Sequence, residues 1–164
     1  MSVPFRLGAV MLAALLVQLT VFVDVRFFGV APELLSLLAV FAAFLIGSER
    51  GPLVAFIAGL IWDVYLPTPL GVTALTLAIV AYAVAKFNEG LFQDSRTHLV
   101  MVVFVASGTA VLGYALIGGI MGSAELLRID MFRIALIVGS VNAVLTPLAS
   151  PIMVWALGGE GTMR

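Results

Sequence analysis

The segment GLIWDVYLPTPLG, residues 59–71, decides how this chain is divided into helices. It places one acid, Asp63, and two prolines, Pro67 and Pro69, in the middle of an apolar tract that runs from residue 51 to residue 85. A lipid environment penalises both an ionised carboxylate and backbone groups that lack hydrogen-bond partners. The segment is therefore expected to be a turn, and the surrounding fold must offset its local cost.

Composition assigns the whole chain to the membrane-protein class. Of its 164 residues, 63% are hydrophobic and 10% are charged, and the mean hydropathy is +1.22. A soluble domain carries about 25% charged residues, so this chain could not cover its own surface in water. We predict an all-α integral membrane protein with a single membrane domain over residues 1–164. The net charge of −1 gives no electrostatic support for binding nucleic acid.

Residue types that carry catalysis are scarce. The chain has no cysteine and a single histidine, His98. Thiolate metal sites, cysteine nucleophiles and multi-histidine metal sites are therefore excluded. We expect no enzymatic activity, no catalytic residues, no metal and no cofactor.

The length of the apolar tract predicts two short spans and excludes a single long one. As one helix, residues 51–85 would extend for about 52 Å, whereas a hydrocarbon core is about 30 Å thick. Pro67 and Pro69 also interrupt a continuous helix. The third and fourth of six transmembrane helices are accordingly predicted to be short, at 52–65 and 70–85, and joined by a proline-containing turn. The other spans are predicted at residues 7–23, 34–48, 99–124 and 134–157.

The distribution of basic residues predicts the orientation, because cytoplasmic loops carry an excess of lysine and arginine. With six spans and a cytoplasmic N-terminus, five basic residues lie inside and three outside. Treating residues 51–85 as one span would give four against four. Both termini are therefore predicted to be cytoplasmic and the turn at residues 63–69 to face outward. The inner set is Arg6, Arg50, Lys86, Arg96 and Arg164, and the outer set is Arg26, Arg128 and Arg133.

Asp63 has two possible roles. It is either a structural acid that hydrogen-bonds the turn backbone over residues 64–68 or the Thr68 side chain, or a carboxylate that lines an outward depression and contacts a ligand or partner. Trp62 and Tyr65 are either interfacial anchors or part of the same depression. The candidates for partner binding or cavity lining are Asp63, Trp62, Tyr65, Pro67, Pro69 and Gly71.

Two pairs of small residues are candidates for close helix packing. Ala9 and Ala13 are four residues apart in the first span, and Gly118 and Gly122 have the same spacing in the fifth. Small residues at this spacing let two membrane helices approach each other closely. Each pair is either an internal packing face or a docking face for the membrane helix of a partner.

The central block resembles the MreD family of bacterial rod shape-determining proteins. That family carries a pattern like G-L-x-x-D-x-x-x-x-x-P-L-G, followed by small and apolar residues that end near A-Y. Arg50 and Gly51, ahead of the third span, also fit. The motif residues that match are Gly59, Leu60, Asp63, Pro69, Leu70 and Gly71, extended by Ala74, Leu75, Ala81 and Tyr82.

The resemblance implies a non-enzymatic scaffold of the cell-elongation machinery in the bacterial cytoplasmic membrane. Its implied partners are the single-span protein MreC and, through it, the RodA glycosyltransferase with its class B penicillin-binding protein, with MreB at the cytoplasmic face. The family also looks like the S-component of energy-coupling-factor transporters, which has six helices and an outward cavity. A small-solute (vitamin) binding subunit of a transporter is therefore the alternative function.

Overall fold

The computed structural model describes residues 2–22, 26, 29–90, 96–122 and 130–158. Every regular element among them is an α-helix, so the predicted all-α fold with six helices is confirmed. The predicted span ends at residues 23, 123 and 124 lie outside the described residues. The helices are α1 (Val3–Thr20), α2 (Leu34–Ile46), α3 (Gly51–Asp63), α4 (Val72–Gly90), α5 (Arg96–Ile120) and α6 (Asp130–Ala156).

The six helices run alternately up and down. At one end of the bundle, Arg6 in α1 donates a hydrogen bond of 3.5 Å to the carbonyl oxygen of Trp155 in α6. At the other end, Gln18 of α1 accepts a hydrogen bond of 3.3 Å from the backbone N–H of Leu35 in α2. We call the first end, with Arg6 and Trp155, the terminal end. We call the second end, where α1, α3 and α5 finish and α2, α4 and α6 begin, the loop end.

Helix length divides the bundle into two groups. Helices α1, α4, α5 and α6 have 18, 19, 25 and 27 residues, and each is long and apolar enough to cross a membrane. Helices α2 and α3 have 13 residues each, which corresponds to about 20 Å against a hydrocarbon core of about 30 Å. The chain is thus a membrane protein, and the crossing of all six helices stays a prediction.

The fourth helix is longer than the predicted span at residues 70–85. Its last turns contain polar residues that the sequence assigned to a loop, and these residues have partners. Lys86 pairs with Glu89 at 3.0 Å, Glu89 accepts the N–H of Ser48 at 3.1 Å, and Asn88 donates to the carbonyl of Phe44 at 3.3 Å. Because the contacts of Glu89 and Asn88 connect α4 to the end of α2, the helix continues to Gly90.

The short helix α2 lies at the centre of the bundle. Its sequence, LLSLLAVFAAFLI, is apolar all round apart from Ser36, and nine of its residues are buried. A helix that is apolar all round is stable in a protein core or in a membrane, and α2 occupies the core because it packs against all five other helices. From the sequence, an irregular turn at membrane depth must be buried in protein or face a water-filled cavity, which predicts that the other helices wrap α3 and α4. Instead, each of them exposes an apolar face, carried by residues such as Leu53 and Ile79.

Glycines at three helix crossings allow the backbones to touch. A Cβ added at Gly59 would lie 2.5 Å from the Cα of Ala74, so α3 and α4 meet in direct backbone contact. Gly51 approaches the Cα of Ala43 at 2.6 Å by the same measure. Gly139 approaches the carbonyl oxygen of Phe104 at 2.8 Å, which closes α5 on α6. Such contacts maximise van der Waals attraction where lipid provides little hydrophobic driving force.

The two predicted small-residue pairs do not lie at these three helix crossings. Ala9 and Ala13 are exposed on α1, whose buried face is formed by Met11, Leu15 and Gln18. Gly118 is buried in α5, but α5 ends at Ile120. Gly122 follows that end with a φ of 101°, so it belongs to the turn and does not share a helical face with Gly118.

Large apolar side chains cover the outside of the bundle. Ile120 of α5 is 78% exposed and Val144 of α6 is 76% exposed, and similar residues occur on every helix except the central α2. Leaving such side chains in water would forgo roughly 25 cal/mol for each Å² of apolar surface. A surface of this kind suits contact with lipid chains.

Candidate functional site

The turn between α3 and α4 is organised by Asp63. One carboxylate oxygen, Oδ2, accepts the backbone N–H groups of Gly71 at 2.8 Å and Ala74 at 3.2 Å. The other, Oδ1, accepts the N–H of Thr73 at 3.1 Å. Asp63 is 2% exposed. The carboxylate therefore satisfies the free N–H groups at the start of α4, where the helix dipole also favours a negative charge.

Of the two roles considered for Asp63, this geometry corresponds to a structural acid, but with other partners than the sequence suggested. Its side chain accepts hydrogen bonds from backbone N–H groups at the start of α4, and not from residues 64–68. Thr68 is held separately, because the hydroxyl of Tyr114 in α5 donates a hydrogen bond of 3.1 Å to its Oγ1. Both oxygens of Asp63 are thus engaged with backbone N–H groups.

The other candidates of the turn separate into exposed and inward residues. Tyr65, Pro67 and Pro69 are exposed at the loop end. Gly71 has a φ of 101°, which a residue with a side chain rarely adopts, and this conformation accompanies its hydrogen bond to Asp63. Trp62 points inward and lines two cavities.

Two adjoining cavities lie at the loop end and share Glu33, Trp62 and Ile134 in their walls. The smaller has a volume of about 130 Å³, which is room for several water molecules. The larger has a volume of about 430 Å³, within the usual range of ligand pockets. The smaller is also lined by Leu66, Thr73, Thr76, Leu77, Ala110, Val111, Tyr114 and Met131, and the larger by Gln18, Leu19, Phe22, Arg26, Gly29, Val30, Ala31 and Pro32.

Glu33 lines both cavities, although the sequence did not indicate it as a site residue. It directly precedes α2, and among the described residues it is the one acidic side chain that lines these cavities. Burial raises the pKa of the Glu33 carboxyl above its usual range, and a hydrogen bond with Ser36 only partly opposes this. The signal in the sequence was an acid placed immediately before a helix that is apolar apart from Ser36.

A buried polar cluster adjoins Glu33 inside the bundle. Asn142 of α6 donates from Nδ2 to the hydroxyl of Ser107 in α5 at 2.9 Å, and it lies 3.4 Å from the hydroxyl of Ser36 in α2. It also lies 3.4 Å from the carbonyl oxygen of Glu33. Asn142 and Ser107 are fully buried, and Asn142 Oδ1 has no hydrogen-bond partner within the described structure. The cluster joins three helices by hydrogen bonds across their interfaces.

Metal ligands are not grouped in the described part of the chain. No set of three histidine, aspartate or glutamate side chains within it is close enough to hold a metal ion. The described walls of the two cavities offer one carboxylate, from Glu33, one guanidinium, from Arg26, a few hydroxyl and amide groups, and apolar surface.

Comparison with protein families identifies the chain. The family model described as rod shape-determining protein MreD matches residues 2–153. The chain belongs to the MreD family. The resemblance inferred from the motif at residues 59–71 is thereby confirmed, and it extends from α1 into the last turns of α6.

The residues that match the MreD family model include the sites described above. They include the α3–α4 turn and the described residues of both cavities. The chain is therefore a rod shape-determining membrane protein. No curated protein matches it, and no solved structure does. The likeness to transporter S-components stays a prediction.

Proposed function

We propose that this MreD-family protein is a non-enzymatic scaffold of the bacterial cell-elongation machinery, in which it binds the single-span protein MreC. Through MreC it helps to regulate the RodA glycosyltransferase and its class B penicillin-binding partner, and MreB is a further partner at the cytoplasmic face. The family match over residues 2–153 carries this proposal. The use of Asp63 for internal hydrogen bonds supports it, because the family motif then maintains a shape.

The surface of α1 supports a docking role. The exposed side of α1 carries the small residues Ala9 and Ala13 and has space around Gly8, where an added Cβ would meet nothing within 4 Å. In this proposal, the single membrane helix of MreC packs against this side of α1. Small residues there would allow close approach of the two backbones.

Co-purification in mild detergent tests this scaffold proposal. MreC expressed with this chain should elute as a stoichiometric complex, and Ala13→Leu should lower the yield of that complex by separating the two helices. The matched control is Ala83→Leu, at an exposed position of α4, which should leave the yield unchanged. Purification of both wild-type proteins as separate species would contradict the proposal.

Orientation belongs to the same proposal. We place the protein in the bacterial cytoplasmic membrane with both termini in the cytoplasm and the loop end outside. Because the chain lacks cysteine, single cysteines can be introduced on a clean background. Leu70→Cys at the loop end should react with an impermeant maleimide on whole cells, whereas Glu49→Cys at the terminal end should react only after permeabilisation. The reverse pattern would contradict the orientation.

The alternative function, a small-solute (vitamin) binding subunit of a transporter, is favoured by one observation. The larger cavity, of about 430 Å³, has the size of a ligand pocket. Its polar side chains are few, namely Gln18, Arg26 and Glu33 among the described residues. A thermal-shift screen of the purified protein against vitamins tests this function. A saturable shift would favour it over the scaffold, and none is expected.

A further inference from the structure

Glu33 forms no ion pair with another described residue. Its carboxyl lines both cavities of the loop end. Among the described residues, the salt bridge observed is between Lys86 and Glu89, at the opposite end of the bundle. A partly buried carboxylate that is not in contact with a cation is costly when it is ionised, because its lost hydration is not replaced. A bound cation would remove this cost.

The groups around Glu33 are those that recognise an ammonium. Trp62 and Tyr114 line the smaller cavity and offer aromatic rings to a cation. Thr73 lines it as well, is 7% exposed, and has an Oγ1 with no hydrogen-bond partner. A primary ammonium has three N–H donors, so it can bond the carboxylate and a hydroxyl at once.

The larger cavity adds a positive charge and apolar walls. Arg26 lines it together with Glu33, so one space is bordered by both charge signs. Leu19, Phe22 and Val30 supply apolar surface beside them. The cavity also lies where helices end, the depth at which lipid headgroups meet a membrane protein. A ligand that fits these walls carries an ammonium, an anionic group and apolar chains.

We propose that the adjoining cavities bind the headgroup of an aminophospholipid, with its ammonium on Glu33 and its phosphate on Arg26. The lipid chains then lie against Leu19 and Phe22. This site goes beyond the scaffold role and does not depend on it, because it requires only a membrane protein with these residues. Binding of MreC and binding of lipid are measured separately, so failure of one leaves the other standing.

Lipid retention measured by native mass spectrometry tests the site. The detergent-purified protein is offered phosphatidylethanolamine and phosphatidylglycerol, which differ in having an ammonium or a neutral glycerol. Wild-type protein should retain phosphatidylethanolamine about tenfold more strongly, the ratio expected for one charge-assisted hydrogen bond. Equal retention of the two lipids would overturn the proposal.

Two variants distinguish the role of the Glu33 carboxylate in lipid binding from effects on folding or on overall charge. Glu33→Gln keeps the size of the side chain and should abolish the preference for phosphatidylethanolamine. Glu49→Gln makes the same change at an exposed position of the terminal end and should keep it. Size-exclusion profiles and melting temperatures of both variants show that each is folded. A preference that persists in folded Glu33→Gln protein would overturn the proposal.

A soluble competitor identifies the source of the ammonium. Free phosphoethanolamine carries both charges but no chains, so it should fail to displace the lipid even in large excess. Displacement at concentrations equal to that of the lipid would assign the cavity to a soluble amine and overturn its assignment to a membrane lipid.

Discussion

The carboxylate of Asp63 and the backbone N–H of Gly71 are joined by a hydrogen bond of 2.8 Å that closes the turn between α3 and α4. Gly71 adopts a φ of 101° in this arrangement. Two further N–H groups, of Thr73 and Ala74, converge on the same carboxylate. The acid and the last glycine of the motif at residues 59–71 thus act together, the first as acceptor and the second as the residue that permits the turn.

Asp63→Asn should lower the free energy of unfolding by about 2–4 kcal/mol. The substitution replaces one acceptor oxygen by an amide group that cannot accept, which removes a helix cap and leaves buried N–H groups unpaired. Unfolding in mixed detergent micelles, followed by tryptophan fluorescence, measures the change. Asp130→Asn, an exposed acid in the first turn of α6, is the matched control and should cost less than about 1 kcal/mol. Equal effects of both variants would contradict the role of Asp63.

Gly59→Ala should destabilise the protein by about 2 kcal/mol or more. The new methyl group would lie 2.5 Å from the Cα of Ala74, and backbone at that distance must move. The melting temperature in detergent measures the effect. Gly8→Ala introduces the same methyl group in α1, where nothing lies within 4 Å, and should leave the melting temperature unchanged or slightly higher. A Gly59→Ala protein as stable as wild type would show that α3 and α4 are not in backbone contact.

The hydrogen bond between Asn142 and Ser107 should be measurable by a double-mutant cycle. Asn142→Ala and Ser107→Ala each remove one partner of the 2.9 Å contact between α6 and α5. The coupling free energy should be about 0.5–1.5 kcal/mol, as is usual for hydrogen bonds between membrane helices. Additive effects of the two substitutions would mean that this contact contributes nothing of its own.

Glu33 should make stability depend on pH. Because burial raises its pKa, the native state holds the proton more tightly than the unfolded chain does. This preference stabilises the protein below the unfolded pKa of about 4.3 and is lost as the pH rises through the native pKa. Among the described residues, the other charged and titratable groups that line the same cavities are Arg26 and Tyr114.

Wild-type protein in lipid-free detergent should therefore lose stability relative to Glu33→Gln as the pH is raised from the unfolded pKa of about 4.3 through the higher native pKa. Melting temperatures of both proteins across this range provide the measurement. Glu49→Gln, with an exposed acid replaced, should follow the wild-type curve. Parallel curves for wild type and Glu33→Gln would contradict the raised pKa.

The sequence predicted the helices well where a single local rule applied. Charged residues and prolines interrupt the apolar runs, so the sequence alone was enough to place six helices and the turn after Asp63. The fourth helix was underestimated because Lys86, Asn88 and Glu89 read as loop residues. The partners of Asn88 and Glu89 are Phe44 and Ser48, on and next to α2 and about forty residues away in the chain, and no local pattern contains that information.

The candidate site was predicted only in part. Trp62 was selected from its position beside Asp63, and it does line both cavities. Glu33 and Tyr114 were not selected, because Glu33 resembles a loop marker and Tyr114 an ordinary residue of an apolar helix. They reach the cavities because α2 and α5 begin and end beside the α3–α4 turn.

By itself, the sequence determined that this chain belongs in a membrane, that it folds into helices, and that residues 59–71 identify its family. Hydropathy, proline and a compact motif are local properties, so they can be read along the chain. Only the tertiary structure decided which helix is central, which amides Asp63 accepts, and that Glu33 lines the loop-end cavities. These depend on which helices meet, and that follows from close approaches such as Gly59 with Ala74, formed only when the whole bundle is packed.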